Sequence, residues 1–421
     1  DATLLQSPIT ISLFLIGLLL LGFIAGLYPS LVAARFKSSA LMRAGKAPAK
    51  TSWLQQSLVV AQFAVSATLA ITVLLIARQI NFMHMKDLGM EKENVLQVPL
   101  GNATSANAFV NQMRGIQGVQ EVSLSRSAPI SNDHWWNTIS KDEGGERLSV
   151  CAIYGDENFY SVYGLRLLSG RIPQYNATDT LLSRVVVNEK LLDMLDLGSA
   201  REAIGKHFWW GGPTEVVGVV ADFNCEPLHF AISPVLIKPD PTVYTQANIR
   251  LTSSQGLASL RDIEAAWKKY FPDDVYEPKF LSEDIGAFYK IESKFYSLLL
   301  VFAALAIGIC CMGLWGIASF VTLRRVKEVS IRKVLGATGS SITSLFLRQF
   351  LRPVFLASII ALPLGWYAIN VILDNYAYRI SITWDLFIIP IVILMTISIA
   401  TVSALTIKAS LTNPAANLKS E

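Results

Sequence analysis

Residues 295–323 read FYSLLLVFAALAIGICCMGLWGIASFVTL, and Arg324 and Arg325 follow directly. That is 29 consecutive residues without Asp, Glu, Lys or Arg. A helix rises ~1.5 Å per residue and the hydrocarbon core of a bilayer is ~30 Å thick, so about 20 apolar residues cross it. The stretch therefore predicts a transmembrane helix with a basic end. Working outward, four more charge-free stretches occupy residues 9–34, 57–77, 353–373 and 386–407, with lengths of 26, 21, 21 and 22. One such stretch also fits a buried core helix. Five of them predict a membrane protein with five transmembrane helices.

The basic residues give the orientation. Arg35, Lys37, Arg43, Lys46 and Lys50 lie between the first two stretches with no acid among them. Arg324, Arg325, Lys327, Arg332, Lys333, Arg348 and Arg352 lie between the third and fourth, against Glu328 alone. By the positive-inside rule both loops are cytoplasmic. The N-terminus is then outside and the C-terminus cytoplasmic. The first residue is Asp1, and the first stretch has basic residues only after it, the reverse of a signal peptide. This polarity predicts that the chain is part of a longer protein with earlier spans.

Of the 421 residues, 52% are hydrophobic and 16% charged, mean hydropathy is +0.42 and net charge is +4. Disordered and disulfide-stapled classes are excluded, and the charge is too mild to suggest nucleic acid. The charge is also divided. Residues 81–293 hold 19 Lys/Arg and 27 Asp/Glu, a net of −8, and the remainder is +12. This 213-residue segment is placed outside. Residues 95–100, 105–115 and 119–125 read as strand, helix and strand, as do 242–251, 255–270 and 275–281. Two such β-α-β units, about 95–127 and 242–281, predict a ferredoxin-like α+β layer. Residues of about 128–241, with Gly144-Gly145, Gly211-Gly212-Pro213 and short β runs, predict an inserted β-rich lobe.

Two tryptophan pairs, Trp135-Trp136 and Trp209-Trp210, fall in this lobe. Neighbours on a strand face opposite sides, so one of each pair is a candidate for contact with a partner. Core and rim packing is the simpler reading. Cys151 and Cys225 are both placed outside and are candidates for a disulfide. Cys310-Cys311 lie in a span as small packing residues. The four histidines lack zinc spacing, and no GxSxG, Walker A or kinase signature occurs. No catalytic set, metal site or cofactor site is expected. Gln62, Ser66, Thr68 and Thr72 are expected to hydrogen-bond between helices.

After the third span, residues 324–337 form an amphipathic helix with a glycine stop. Ile331, Val334 and Leu335 share one face, and Glu328 can pair with Arg332. A new helix is expected to start at Ser340-Ser341. The run Arg325-x-x-Glu328-x-x-Ile331-Arg332-Lys333-x-Leu335-Gly336-Ala337, directly after a span, resembles the signature of the FtsX-like, or MacB-like, permeases of ABC transporters. Weaker matches to the periplasmic core domain of that family are Gly164-Leu165-Arg166-Leu167-Leu168-Ser169-Gly170-Arg171, Val185-Val186-Val187-Asn188-Glu189, Ile204-Gly205-Lys206 and Val217-Gly218-Val219-Val220-Ala221-Asp222-Phe223. The ending Asn413-Pro414-Ala415-Ala416-Asn417-Leu418-Lys419 also fits the family. Lys37-Ser38-Ser39-Ala40-Leu41-Met42-Arg43 is similar to that ending, apart from Ser38 where the family usually has Pro.

The resemblance covers residues 53–421 and implies a division of the chain. Residues 1–55 would be the last helix of a preceding half and a linker, and 56–80 a span. Residues 81–293 would be the periplasmic domain and 294–421 the permease domain, within a duplicated eight-span protein. It further implies a multi-pass protein of the bacterial inner membrane with no catalytic role of its own. A separate cytoplasmic ATPase dimer, carrying ATP and Mg, would dock on Arg324, Arg325, Glu328, Ile331, Arg332, Lys333, Leu335, Gly336 and Ala337. Closure of that dimer would move the outer domain by mechanotransmission. Lipid surrounds the spans, and a periplasmic adaptor or outer-membrane protein is a further expected partner. The implied task is export or extraction of a peptide, lipoprotein or hydrophobic compound. The alternatives are control of an envelope hydrolase, as in cell-division members, and antimicrobial-peptide sensing or resistance.

Overall fold

A computed structural model of the chain describes residues 53–410 apart from 102, 132–133, 176–181 and 253–255. The expected first span at 9–34, the basic linker after it and the ending at 413–419 lie outside the described residues. Among the described residues, four helices are long and apolar enough to cross a membrane. They are α1 (Trp53–Met85), which precedes an α+β domain, and α7 (Lys290–Arg324), α9 (Gly339–Leu373) and α10 (Asp385–Ser410), which follow it.

The domain opens with β1 (Val95–Pro99), α2 (Ala103–Met113) and β2 (Val119–Ser125). The lobe follows as β3 (Trp135–Ile139), β4 (Leu148–Tyr154), α3 (Phe159–Val162), β5 (Leu167–Gly170), β6 (Ser183–Asn188), α4 (Glu189–Leu195), β7 (His207–Trp209), β8 (Pro213–Val220) and β9 (Val235–Lys238). The chain then returns through β10 (Gln246–Leu251), α5 (Gly256–Tyr270), β11 (Lys279–Phe280) and α6 (Leu281–Phe288). Strand β10 starts later than its β pattern suggests. Asp240 accepts the Thr242 N–H at 3.1 Å, and Pro241 holds a 3₁₀ turn over Pro241–Val243.

The first and last segments share one antiparallel sheet in the order β11-β1-β10-β2. α2 and α5 pack against each other, with Phe109, Trp267 and Phe271 fully buried in the core they share with this sheet. Trp267 satisfies its indole N–H by donating to the Pro99 carbonyl at 2.7 Å.

The lobe is a mixed seven-stranded sheet in the order β3-β4-β9-β6-β8-β5, with β7 also on β8. Its strands carry unbroken apolar runs such as Val150–Tyr154 and Val185–Val187 because both faces are covered. Along β4, Val150, Ala152 and Tyr154 enter the core shared with the four-stranded sheet. Cys151 and Ile153 enter a second core that also takes Met83 of α1 and Leu281, Ile285 and Tyr289. The lobe is thus wedged between the first sheet and the ends of the long helices. The amide and carbonyl of Ser140 exchange hydrogen bonds with Trp209 at 2.9 and 2.8 Å, so β3 and β7 meet and the sheet curls on itself.

Gly170 ends β5 at a φ of +81°, and a Cβ there would lie 2.2 Å from the Val217 carbonyl oxygen. Both the conformation and the space require glycine. Gly170→Ala is expected to destabilise the domain by roughly 3 kcal/mol or more, read as a lowered midpoint of chemical unfolding followed by lobe tryptophan fluorescence.

Asp156, between β4 and α3, accepts the Leu124 N–H of β2 at 2.9 Å and the Asn158 N–H at 3.1 Å. Burial nevertheless raises its carboxyl to about 6 from an ordinary 3.8. The folded state then holds this proton more tightly than the unfolded state. The group's contribution to stability is full below pH ~4 and is lost as pH rises through about 6. Carbon-13 NMR of the Asp156 carboxyl is expected to titrate with a midpoint near 6.

In the bundle, α1 packs against α7 and α9, and α10 against α9. Gly365 of α9 lets α1 pack tightly against it, since a Cβ there would meet the Ile71 side chain at 3.0 Å. Of Gln62, Ser66, Thr68 and Thr72 on α1, Ser66 meets a neighbouring helix, with its hydroxyl 3.2 Å from Cys310 Sγ of α7. Thr68 and Thr72 instead donate to the carbonyls of Ala64 and Thr68 in their own helix. Gln62 faces Gly313 of α7.

Candidate functional site

The bundle has two ends with candidate contact features. At the end away from the α+β domain, α7 gives way at Arg325 to the short α8 (Val326–Val334). Glu328 pairs with Arg332 at 2.9 Å and approaches Arg325 at 4.0 Å. Leu335 closes the helix, and Gly336, at a φ of +91°, turns the chain so that the Ala337 N–H reaches the Arg332 carbonyl at 2.9 Å. The next helix starts earlier than Ser340-Ser341. Thr338 is its N-cap, with Oγ1 accepting the Ser341 N–H at 3.4 Å. The side chain of Arg324 lies outside the described residues.

Burial decides what α8 offers. Ile331 is 53% exposed, Val334 68% and Leu335 81%, whereas Val329 packs on the bundle core and Ser330 is buried. One face of α8 is therefore anchored. The other presents three apolar side chains beside Arg332, whose side chain is 48% exposed. An exposed apolar patch rimmed by charge is the pattern of a contact surface.

At the other end, the domain and the bundle are joined by a network that the sequence did not reveal. The turn at Leu228–His229 pairs its carbonyls with the N–H groups of Tyr378 and Ala377, at 3.3 and 3.0 Å. His229 Nε2 lies 3.0 Å from Glu292 Oε1 of α7, and its ring stacks on Tyr376 with centroids 4.7 Å apart. The Leu228 N–H donates to the Tyr289 hydroxyl at 3.1 Å. Gln79 of α1, only 2% exposed, donates to the Tyr378 carbonyl at 2.8 Å and accepts the Ile380 N–H at 3.0 Å. Arg78 of α1 pairs with Asp385 at the start of α10. Lys86 sits 4.7 Å from the Tyr378 ring centroid. One loop, residues 374–384, is thereby tied to α1 and to the lobe, while α1 is also paired with α10. His229 and Glu292 are distant in sequence and follow no spacing rule, so only the fold brings them together.

Gln79→Leu would keep the side chain's bulk and leave the Tyr378 carbonyl and Ile380 N–H without partners. At about 1–3 kcal/mol for each buried orphan, the substitution is expected to release loop 374–384 first. Hydrogen exchange measured by mass spectrometry should rise in that loop and stay unchanged in β4 and β6.

The other candidate residues sit in the lobe. Trp135 and Trp136 are 40% and 48% exposed on the edge strand β3, so both, not one of the pair, reach the surface. The Arg126 guanidinium lies 3.6 Å from the Trp135 ring centroid, and Tyr154 packs edge-on against it at 5.4 Å. Trp209 and Trp210 are half-buried, Trp210 packing on the core with Lys238 near its ring. The Ser140–Trp209 bridge brings both pairs to one margin of the sheet. Cys151 and Cys225 are buried free thiols in the same core. A hydrogen bond with the Cys225 thiol, helped by burial, pushes the Cys151 thiol well above its ordinary range. Among the described residues, no group of three His, Cys, Asp or Glu side chains is placed to hold a metal.

The chain is similar in structure to the periplasmic region of MacB from Actinobacillus actinomycetemcomitans, with 15% identity over 49% of this chain and 97% of that one and a TM-score of 0.35. It is also similar to the extracellular domain of the noncanonic ABC-type transporter YknZ from Gram-positive bacteria, with 16% identity over 44% of this chain and 100% of that one and a TM-score of 0.32. No curated protein matches the sequence. The model of the FtsX-like permease C-terminal family matches residues 300–414, a stretch that holds α8 and the long helices α9 and α10. Over residues 300–414 the chain is similar to the C-terminal domain of FtsX-like permeases.

Proposed function

We propose that the protein is the permease subunit of an ABC transporter complex in a bacterial inner membrane. In this reading it turns ATP hydrolysis by a separate cytoplasmic ATPase dimer into movement of the α+β domain on the other side. The observation that carries the proposal is the exposed apolar face of α8 beside Arg332, inside the segment that matches the FtsX-like model. The network at the far end supports the second half. Helices α1 and α7 enter and leave the domain, and both are tied by side chains to the lobe or to loop 374–384. Displacing α7 at its α8 end would therefore pull on Glu292 and Tyr289. Among the charge-free stretches of the described helices no charged side chain marks a solute path. This favours transmission of movement over conduction, in the service of export or extraction of a peptide, lipoprotein or hydrophobic compound.

The experiment is co-expression of the protein with the ABC ATPase encoded beside it. Tight co-purification and ATP hydrolysis in the complex are expected. A permease that binds no ATPase of its host would sink the proposal.

A further inference from the structure

A cleft of about 340 Å³ lies where the two sheets of the α+β domain meet, in the size range of small-ligand sites. None of the roles above uses it. One wall is α2, where Asn107, Asn111 and Arg114 form a stripe at helical spacing. Their side chains make no hydrogen bond or ion pair among the described residues, although α2 holds them in register. The facing wall is the turn after β4, with Asp156 and Glu157, and Tyr175 closes one end at 49% exposure.

Both carboxylates already accept hydrogen bonds. Asp156 is held by the N–H groups of Leu124 and Asn158, and Glu157 accepts from the Gln174 side chain at 3.1 Å. These bonds orient the carboxylates on the cleft wall, which lowers the cost of ordering them around a cation. Two free amides spaced one helical turn apart match the alternating C=O and N–H groups of an extended backbone. The Tyr175 ring offers a face to an alkylammonium or guanidinium group. The domain's net charge of −8 favours a positive ligand as well.

We infer that this cleft binds an extended peptide segment, taking its backbone on the Asn107–Asn111 stripe and a basic side chain between Asp156 and Glu157. The segment is the leading candidate for the cargo or partner of the proposed machine. Equilibrium binding at the cleft does not depend on the ATPase reading and is measured without nucleotide.

The test uses the full chain in lipid nanodiscs and the fluorescein-labelled peptide Gly-Ala-Lys-Ala-Arg-Ala-Gly, with its Lys and Arg replaced by Glu as the control. The expected result is saturable binding of the basic peptide and none of the acidic one. Glu157→Lys and Asn111→Trp, both at exposed positions, should each weaken binding at least tenfold. Glu157→Gln and Asn107→Ala, milder changes, should each weaken it several-fold with an unchanged circular dichroism spectrum. Spermidine separates the peptide from a bare cation, and it should compete poorly. Three outcomes would overturn the inference: no saturable binding up to millimolar peptide, equal affinity of wild type and all four variants, or spermidine binding as tightly as the peptide.

Discussion

Reversing Arg325, Arg332 and Lys333 together to Glu is expected to abolish co-purification of the ATPase while the permease itself stays folded. Arg332 and Lys333 lie on α8, whose apolar face is exposed, and Arg325 stands at its N-terminal cap; three reversals convert a basic rim into an acidic one. Charge-assisted contacts at an interface are worth about 1.5–3 kcal/mol each, so losing and then opposing several of them lowers affinity by a factor of 10³ or more. The internal cost of the Arg332 reversal is small. The Glu328–Arg332 pair spans one turn in the open, with side chains 44% and 48% exposed, and such pairs contribute ~0.5 kcal/mol. Leu335→Asp provides an independent check. Leu335 is 81% exposed, so the change costs the monomer little yet places a charge on the proposed docking face. Retention of the ATPase by both variants would remove α8 from the interface.

The second large effect concerns the far end. His84 of α1 and Gly286 of α6 face each other, a Cβ at Gly286 lying 4.0 Å from the His84 ring. The His84 ring also meets Tyr289 edge-on at 5.9 Å. A short bis-maleimide between His84→Cys and Gly286→Cys would lock α1 to α6, which leads into α7. If those helices act as levers, the locked protein still binds the ATPase and hydrolyses ATP, but ATP-dependent displacement of the domain is lost. Reduced, uncross-linked double variant is the control. Displacement that persists in the locked protein would refute the lever role.

The long helices were legible because an unbroken apolar stretch has few alternatives to a membrane helix. α8 was legible because amphipathic spacing and a following glycine are local signals. The β segments at 95–99 and 119–125 were also visible, since alternation and turns report on them directly. What was not legible depends on distant partners. Thr68 and Thr72 look like interhelical ligands, but a hydroxyl in a helix reaches the carbonyl one turn back at no cost in packing, and they do so here. Ser66, by contrast, sits opposite the Cys310 thiol of α7. The exposure of both Trp135 and Trp136 follows from β3 being an edge strand, which alternation alone does not disclose. The His229–Glu292 contact joins residues 63 positions apart, and Gln79 reaches loop 374–384 some 300 positions away. No periodicity encodes either contact.

The central claim is that nucleotide state at one end of the bundle sets the position of the domain at the other. Spin labels at Lys141→Cys in the lobe and Trp384→Cys beside α10, both at exposed positions, report that position in the complex with its ATPase. Double electron–electron resonance is expected to show distance distributions that differ by several ångströms between the ATP-bound and ADP-bound complexes, on the scale of one helical turn (~5.4 Å). Identical distributions in the two states, in a complex that hydrolyses ATP at the wild-type rate, would contradict the account.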